Sequence, residues 1–107
     1  MLNMGKMLKQ MEKLRADMAR AQEELGQARV EATAGGGVVT AVANGHGELQ
    51  SLTIAPEAVD PHDIGLLQDL ITAAVNEAQR KARAMTEERM KAATGGLQIP
   101  GLPGLTG

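Results

Sequence analysis

The sequence predicts an α+β protomer: a long helix, a three-stranded antiparallel meander, then a second long helix, paired into a dimer with projecting helices. Three observations lead there. Apolar residues recur at heptad spacing in the first quarter, alternate in the middle, and return to helical spacing after Pro61. Proline and clustered glycine fall where the period changes. The chain also has no Phe, Trp or Tyr, so a lone protomer has few large side chains to bury, and a second copy is expected to complete its core.

From about Asn3 to Leu25 there is no proline, and Gly5 is the only glycine. Met4, Met7, Met11, Leu14, Met18, Ala21 and Leu25 follow alternating steps of three and four, which is a heptad seam. Such a helix is about 35 Å long at 1.5 Å per residue, and Gly26 marks its expected end. The narrow seam suits contact with another helix more than broad burial. Ala28, Val30 and Ala32 then alternate with Arg29, Glu31 and Thr33, as in a half-exposed strand. Gly35-Gly36-Gly37 breaks it. Val38 to Ala43 forms the second strand. Asn44-Gly45 is a hairpin turn signal that His46-Gly47 can lengthen. Leu49 to Ile54 forms the third, with Leu49 out of phase with Leu52 and Ile54, which predicts a small bulge.

Pro56 ends the sheet. Asp60 is the expected N-cap of the second helix, with Pro61 at its first position and Asp63 in its first turn. The helix runs to about Ala93. Ile64, Leu67, Ile71, Ala74, Ala78, Ala82 and Met85 line one side, and Leu70 and Val75 widen it. The wide half is expected to lie on the sheet and the charged, Ala-rich half to project. Residues 1–93 thus make one domain. Residues 94–107 are rich in Gly and Pro with isolated Leu and Ile, and are expected to be a mobile tail.

Net charge is −2 and the pI near 5.6, so the chain is no generic polycation. Local charge still matters, because a phosphate backbone senses it within a Debye length of about 8–10 Å. The absence of Cys removes thiol and disulfide chemistry and fits a reducing compartment. Without a signal-peptide pattern or an apolar run of about 18 residues, the expectation is a cytoplasmic protein with no membrane partner.

Nothing suggests catalysis, a cofactor or a small-molecule substrate. His46 lies in a glycine-flanked turn and His62 in a helix's first turn, and neither has the spaced partners of a triad or a metal set. Asp60 and Asp63 are explained as caps. Gly35-Gly36-Gly37 lacks the Lys-Ser/Thr of a phosphate loop and precedes a strand.

The informative feature is a basic stripe. Lys6, Lys9, Lys13 and Arg20 step by three, four and seven, share one face of the first helix, and lie nearly opposite the Met/Leu seam. Lys13–Asp17 is an available i,i+4 pair, so a solvated face laced with ion pairs is the competing account. The second helix adds Arg80, Lys81, Arg83, Arg89 and Lys91. Glu77–Lys81 and Glu87–Lys91 are well oriented pairs. Arg80 and Arg83 have no acidic residue four positions earlier, so they are better candidates for an external anion. With no aromatic platform for single strands, any nucleic acid bound would be a duplex held by its backbone.

Several segments together resemble the YbaB/EbfC family. They are Met7-Leu8-Lys9-Gln10-Met11 with the heptads from Lys13 to Glu24, the glycine break before Val38-Val39, Asn44-Gly45, and Leu52-Thr53-Ile54-Ala55-Pro56. The run from Leu67 to Ala78 (LQDLITAAVNEA), Glu88-Arg89-Met90 and Gly95-Gly96-Leu97-Gln98-Ile99-Pro100-Gly101 complete the set. Leu67 to Ala78 is the most specific. The resemblance implies a dimer with joined central sheets and helices projecting like tweezer arms. It also implies a nucleoid-associated protein that binds double-stranded DNA, alters its conformation and influences nucleoid organisation and gene expression. DNA contacts fall on the projecting helices, here Lys6, Lys9, Lys13, Arg20, Arg80, Lys81 and Arg83. This chain departs from the family at the middle strand, Val38-Val39-Thr40-Ala41-Val42, where relatives commonly carry a Lys. The alternative is a dimeric helical adaptor for another protein, using the adaptable Met seam.

Overall fold

A computed structural model describes residues 3–93. The order is α1 (Met4–Gln27), β1 (Val30–Ala34), β2 (Val39–Ala43), β3 (Leu49–Ile54), a short 3-10 turn (Pro56–Ala58) and α2 (Ile64–Ala93). The strands form one antiparallel sheet in the order β1-β2-β3. This is the predicted arrangement of helix, meander and helix. The tail expected at 94–107 lies outside the described residues.

Helix ends differ from expectation in two places. The Asn3 side chain caps α1 by accepting from the Lys6 N–H at 3.1 Å. The helix passes through Gly26 and closes at Ala28, whose N–H donates to the Glu24 and Leu25 carbonyls. Glycine is tolerated inside a helix at modest cost, and Gly26 here lies against the His46 ring. At the other helix, Asp60 and Pro61 do not begin α2. Their residues form a separate turn, with Asp60 accepting from the His62 N–H at its carboxylate and the Asp63 N–H at its carbonyl. Proline fits the second position of such a turn as well as it fits a helix start. Asp63 is the residue that caps α2, accepting from the Leu66 N–H at 3.3 Å.

The strands are joined by two glycine-dependent turns. Gly35, Gly36 and Gly37 have φ of 65°, 72° and 100°, which reverses β1 into β2 without steric cost. Between β2 and β3 the loop is longer than a two-residue hairpin. The Asn44 side-chain oxygen accepts from the N–H groups of both His46 and Glu48, and its amide donates to Glu48 Oε1 at 2.7 Å. Asn44 is thereby buried with its polar atoms satisfied. The predicted irregularity shows as a register shift between Val42 and Ala43.

The core is a layer of small side chains. Ala32, Val39, Ala41 and Ala43 on one sheet face meet Ala74 and Ala78 of α2. Alanine at these positions lets the helix sit close to the sheet. The opposite face is Glu31, Thr33, Thr40, Val42, Ser51 and Thr53, polar except for the half-buried Val42, as strand alternation requires. α2 lies over β1 and β2. Leu52 of β3, and Ile71 and Val75 of α2, remain half-buried.

A joint ties α1 to this core. Ala21 and Leu25 are buried, and the Gly45 N–H donates to the Leu25 carbonyl at 2.7 Å. A Cβ at position 45 would stand 2.7 Å from that same oxygen, so only glycine permits the approach. The Thr86 hydroxyl donates to the Gly45 carbonyl, and Gln79 Nε2 to the Gly47 carbonyl. Loop, first helix and second helix thus meet at one point. The C-terminal end of the heptad seam is therefore covered by its own chain, Leu25 by the Gly45 loop and Ala21 beside Arg89 and Ala92 of α2. The packing of α1 on α2 is the helix-on-helix contact that the narrow seam suits, and the loop adds to it.

Candidate nucleic-acid interface

Only the last third of α1 is packed. Residues 3–16 are all exposed, including Met4, Met7, Leu8, Met11 and Leu14. This stretch is about 20 Å of free helix at 1.5 Å per residue. It is held as a helix by the Asn3 cap and by good helix formers such as Met, Leu, Lys, Gln and Ala.

Charge is unevenly divided along it. Residues 4–16 carry Lys6, Lys9, Lys13 and Arg15 against Glu12, whereas residues 17–27 carry Arg20 against Asp17, Glu23 and Glu24. The free end is thus basic and the packed end acidic. The side chains of Lys6, Lys9 and Lys13 make no ion pair or hydrogen bond with the described residues, and all three are exposed. The i,i+4 pair available to Lys13 does not form. Asp17 instead faces Arg20 at 3.6 Å, one turn closer to the joint. Arg20 therefore shares the stripe but is partly neutralised.

The second helix separates its candidates further. Arg80 pairs with Glu77 at i,i+3, a partner that a search at i,i+4 alone misses. Lys81 is consequently left without Glu77. Its Nζ donates to the Glu31 carbonyl of β1 at 2.9 Å, crossing from helix to edge strand. Arg83 makes no ion pair with the described residues. It lines a shallow cleft of about 320 Å³ with Gly45, His46, Thr86 and Glu87. Arg89 reaches back to Glu24 of α1 at 3.5 Å. Exposed pairs of this kind contribute roughly 0–1 kcal/mol to stability, so their main effect is to occupy charges.

Of the seven predicted cations, Lys6, Lys9 and Lys13 form one bare group on free α1, and Arg83 stands alone near the joint. Arg20, Arg80 and Lys81 are engaged within the protomer. Arg15 is a bare cation that the stripe argument passes over, because it falls on the apolar side of the helix. Its signal was its position in the charge-rich half rather than its phase. No helix among the described residues is long and apolar enough to cross a membrane.

Comparison with known proteins narrows what this surface can be for. The profile of the YbaB/EbfC DNA-binding family matches residues 1–97. A nucleoid-associated protein of Pelotomaculum thermopropionicum is 57% identical over 100 residues, covering 94% of this chain and 95% of that one. One from Acetivibrio thermocellus is 52% identical over 103 residues, covering 96% and 89%. Among solved structures, an uncharacterized protein from Helicobacter pylori superposes with a TM-score of 0.69 at 21% identity, covering 92% of this chain and all of that one. That likeness establishes the fold.

Proposed function

This chain belongs to the YbaB/EbfC DNA-binding family, and on that premise we propose that it is a homodimeric, nucleoid-associated protein that binds duplex DNA through the free half of α1. The observation that carries the reading is that Lys6, Lys9 and Lys13 have no ion-pair or hydrogen-bond partner for their side chains among the described residues, on a helix segment whose residues 3–16 are all exposed. A cation already matched to a carboxylate gains less from a phosphate, so the bare group is where a polyanion gains most. Arg83 supplies a fourth contact. Arg20, Arg80 and Lys81 are secondary, since each must first leave an internal partner.

The dimer is assigned to the β3 side of the sheet. That strand ends the sheet, lies outside the cover of α2, and leaves Leu49 exposed and Leu52 half-buried. A second copy set against it buries this surface and leaves both α1 helices projecting. Two symmetric sets of lysines then grip one duplex, bending or stiffening it, and in the cell the protein works at the nucleoid with effects on its organisation and on gene expression.

Fluorescence polarisation with random-sequence duplex across a salt series tests this. Four phosphate contacts from each protomer, eight from the dimer, predict a log–log slope of roughly −7.2. The variant Lys6→Ala/Lys9→Ala/Lys13→Ala, which removes six of the eight contacts from the dimer, should weaken binding strongly and flatten the slope by roughly 5.4 while it still dimerises. Unaltered affinity in that variant would move the interface elsewhere. No binding by the natural chain at low salt would favour the adaptor.

A further inference from the structure

We propose that Met4, Met7 and Met11 form an oxidation site on α1, and that their conversion to sulfoxides by a peroxide unwinds the free half of that helix. The three thioethers stand on one face at steps of three and four, and are 72%, 47% and 60% exposed. Met18, on the same face nearer the joint, is half-buried, as are Met85 and Met90 of α2. Reaction follows access to the sulfur, so the three on free α1 are oxidised first. The chain has no Cys to compete for the oxidant.

The step is an oxygen-atom transfer. The sulfur lone pair attacks one peroxide oxygen, the O–O bond breaks and water leaves. The sulfur loses two electrons and the peroxide gains them. The product is polar and chiral, and methionine sulfoxide reductases return it to the thioether.

The place of these residues on α1 turns a local change into loss of structure. Residues 3–16 are all exposed, so their helix rests on side-chain preference, the Asn3 cap and continuity with the packed turns at Ala21 and Leu25. A segment of this length is near the limit of about 12–15 residues below which isolated helices are marginal in water. Methionine is a good helix former. A sulfoxide oxygen accepts hydrogen bonds and competes with the backbone, the property that ranks Ser, Asn and Asp low inside helices. Three such changes over two turns tip the free half towards coil, while the half anchored by Leu25 stays wound. Lys6 and Lys9 alternate with the methionines along the chain and lose their common face as the helix unwinds. Release of duplex DNA on oxidation rests on the function proposed above; the oxidation site and the unwinding do not.

The test treats the full-length protein with hydrogen peroxide and follows peptide masses, far-UV circular dichroism and duplex polarisation. Met4, Met7 and Met11 should oxidise several-fold faster than Met18, Met85 and Met90. Helicity should fall in step with them, duplex affinity should drop by about tenfold or more as the lysine contacts are lost, and a sulfoxide reductase should restore both. The variant Met4→Leu/Met7→Leu/Met11→Leu, which keeps the apolar face and the helix preference, should stay helical and bound under the same treatment. Equal oxidation rates at all six methionines would overturn the proposal. So would unchanged helicity once the three are oxidised, or an equal loss of helicity in the leucine variant. Selective oxidation and unwinding in a protein that binds no duplex before treatment would uphold the site and remove the DNA reading.

Discussion

The two ends of α1 carry the same heptad stripe and are treated in opposite ways. At Ala21 and Leu25 the stripe is sealed by α2 and the Gly45 loop. At Met4, Met7, Leu8 and Met11 no described residue covers it. Charge divides at the same place, with carboxylates gathered at the sealed end and cations at the open one. Periodicity therefore reports that a face is apolar, and the surrounding chain decides what that face is used for. One end holds the fold together; the other presents a surface.

Substitutions can break or sharpen this contrast. The largest expected effect is at Leu25, which is fully buried. Leu25→Ala should cost about 3 kcal/mol in urea denaturation, since it removes a large side chain from a site the loop cannot fill. Gly45→Ala comes next, at about 2 kcal/mol, because its Cβ would push the Leu25 carbonyl away and loosen α1 from the loop. Asn44→Ala should cost about 1.5 kcal/mol by leaving the His46 and Glu48 N–H groups without their acceptor. Met11→Asp should change unfolding stability by less than about 1 kcal/mol, because the side chain is exposed. A cost at Met11 as large as that at Leu25 would erase the distinction between the two ends. The smallest stability effect, within about 0.5 kcal/mol, is expected for the triple lysine variant, whose loss should appear in DNA affinity alone.

The order of elements was legible because its signals are local. Alternation at Ala28, Val30 and Ala32, the three glycines and the heptad steps each act over a few residues. The start of α2 was less so, since Asp60-Pro61 suits a turn and a helix start equally, and only Asp63 engages the Leu66 N–H. The site was legible in part. Lys6, Lys9 and Lys13 were found by phase, and Lys13 is left without its i,i+4 partner because Asp17 turns to Arg20. The engagement of Lys81 with the Glu31 carbonyl joins residues 50 apart, and no local pattern encodes that. Gly26 shows the same limit: as a stop signal it was outweighed by the buried Leu25 and the cap at Ala28 beside it.

The bond from Lys81 to β1 has a bearing on how far assembly can go. A lysine seated on the outermost carbonyl row makes that flank a poor template for further strands. In the proposed dimer, growth is then confined to the β3 flank, and two copies meeting there about a two-fold axis use up that border. A pair so formed closes on itself and offers no bare strand edge for stacking into fibrils.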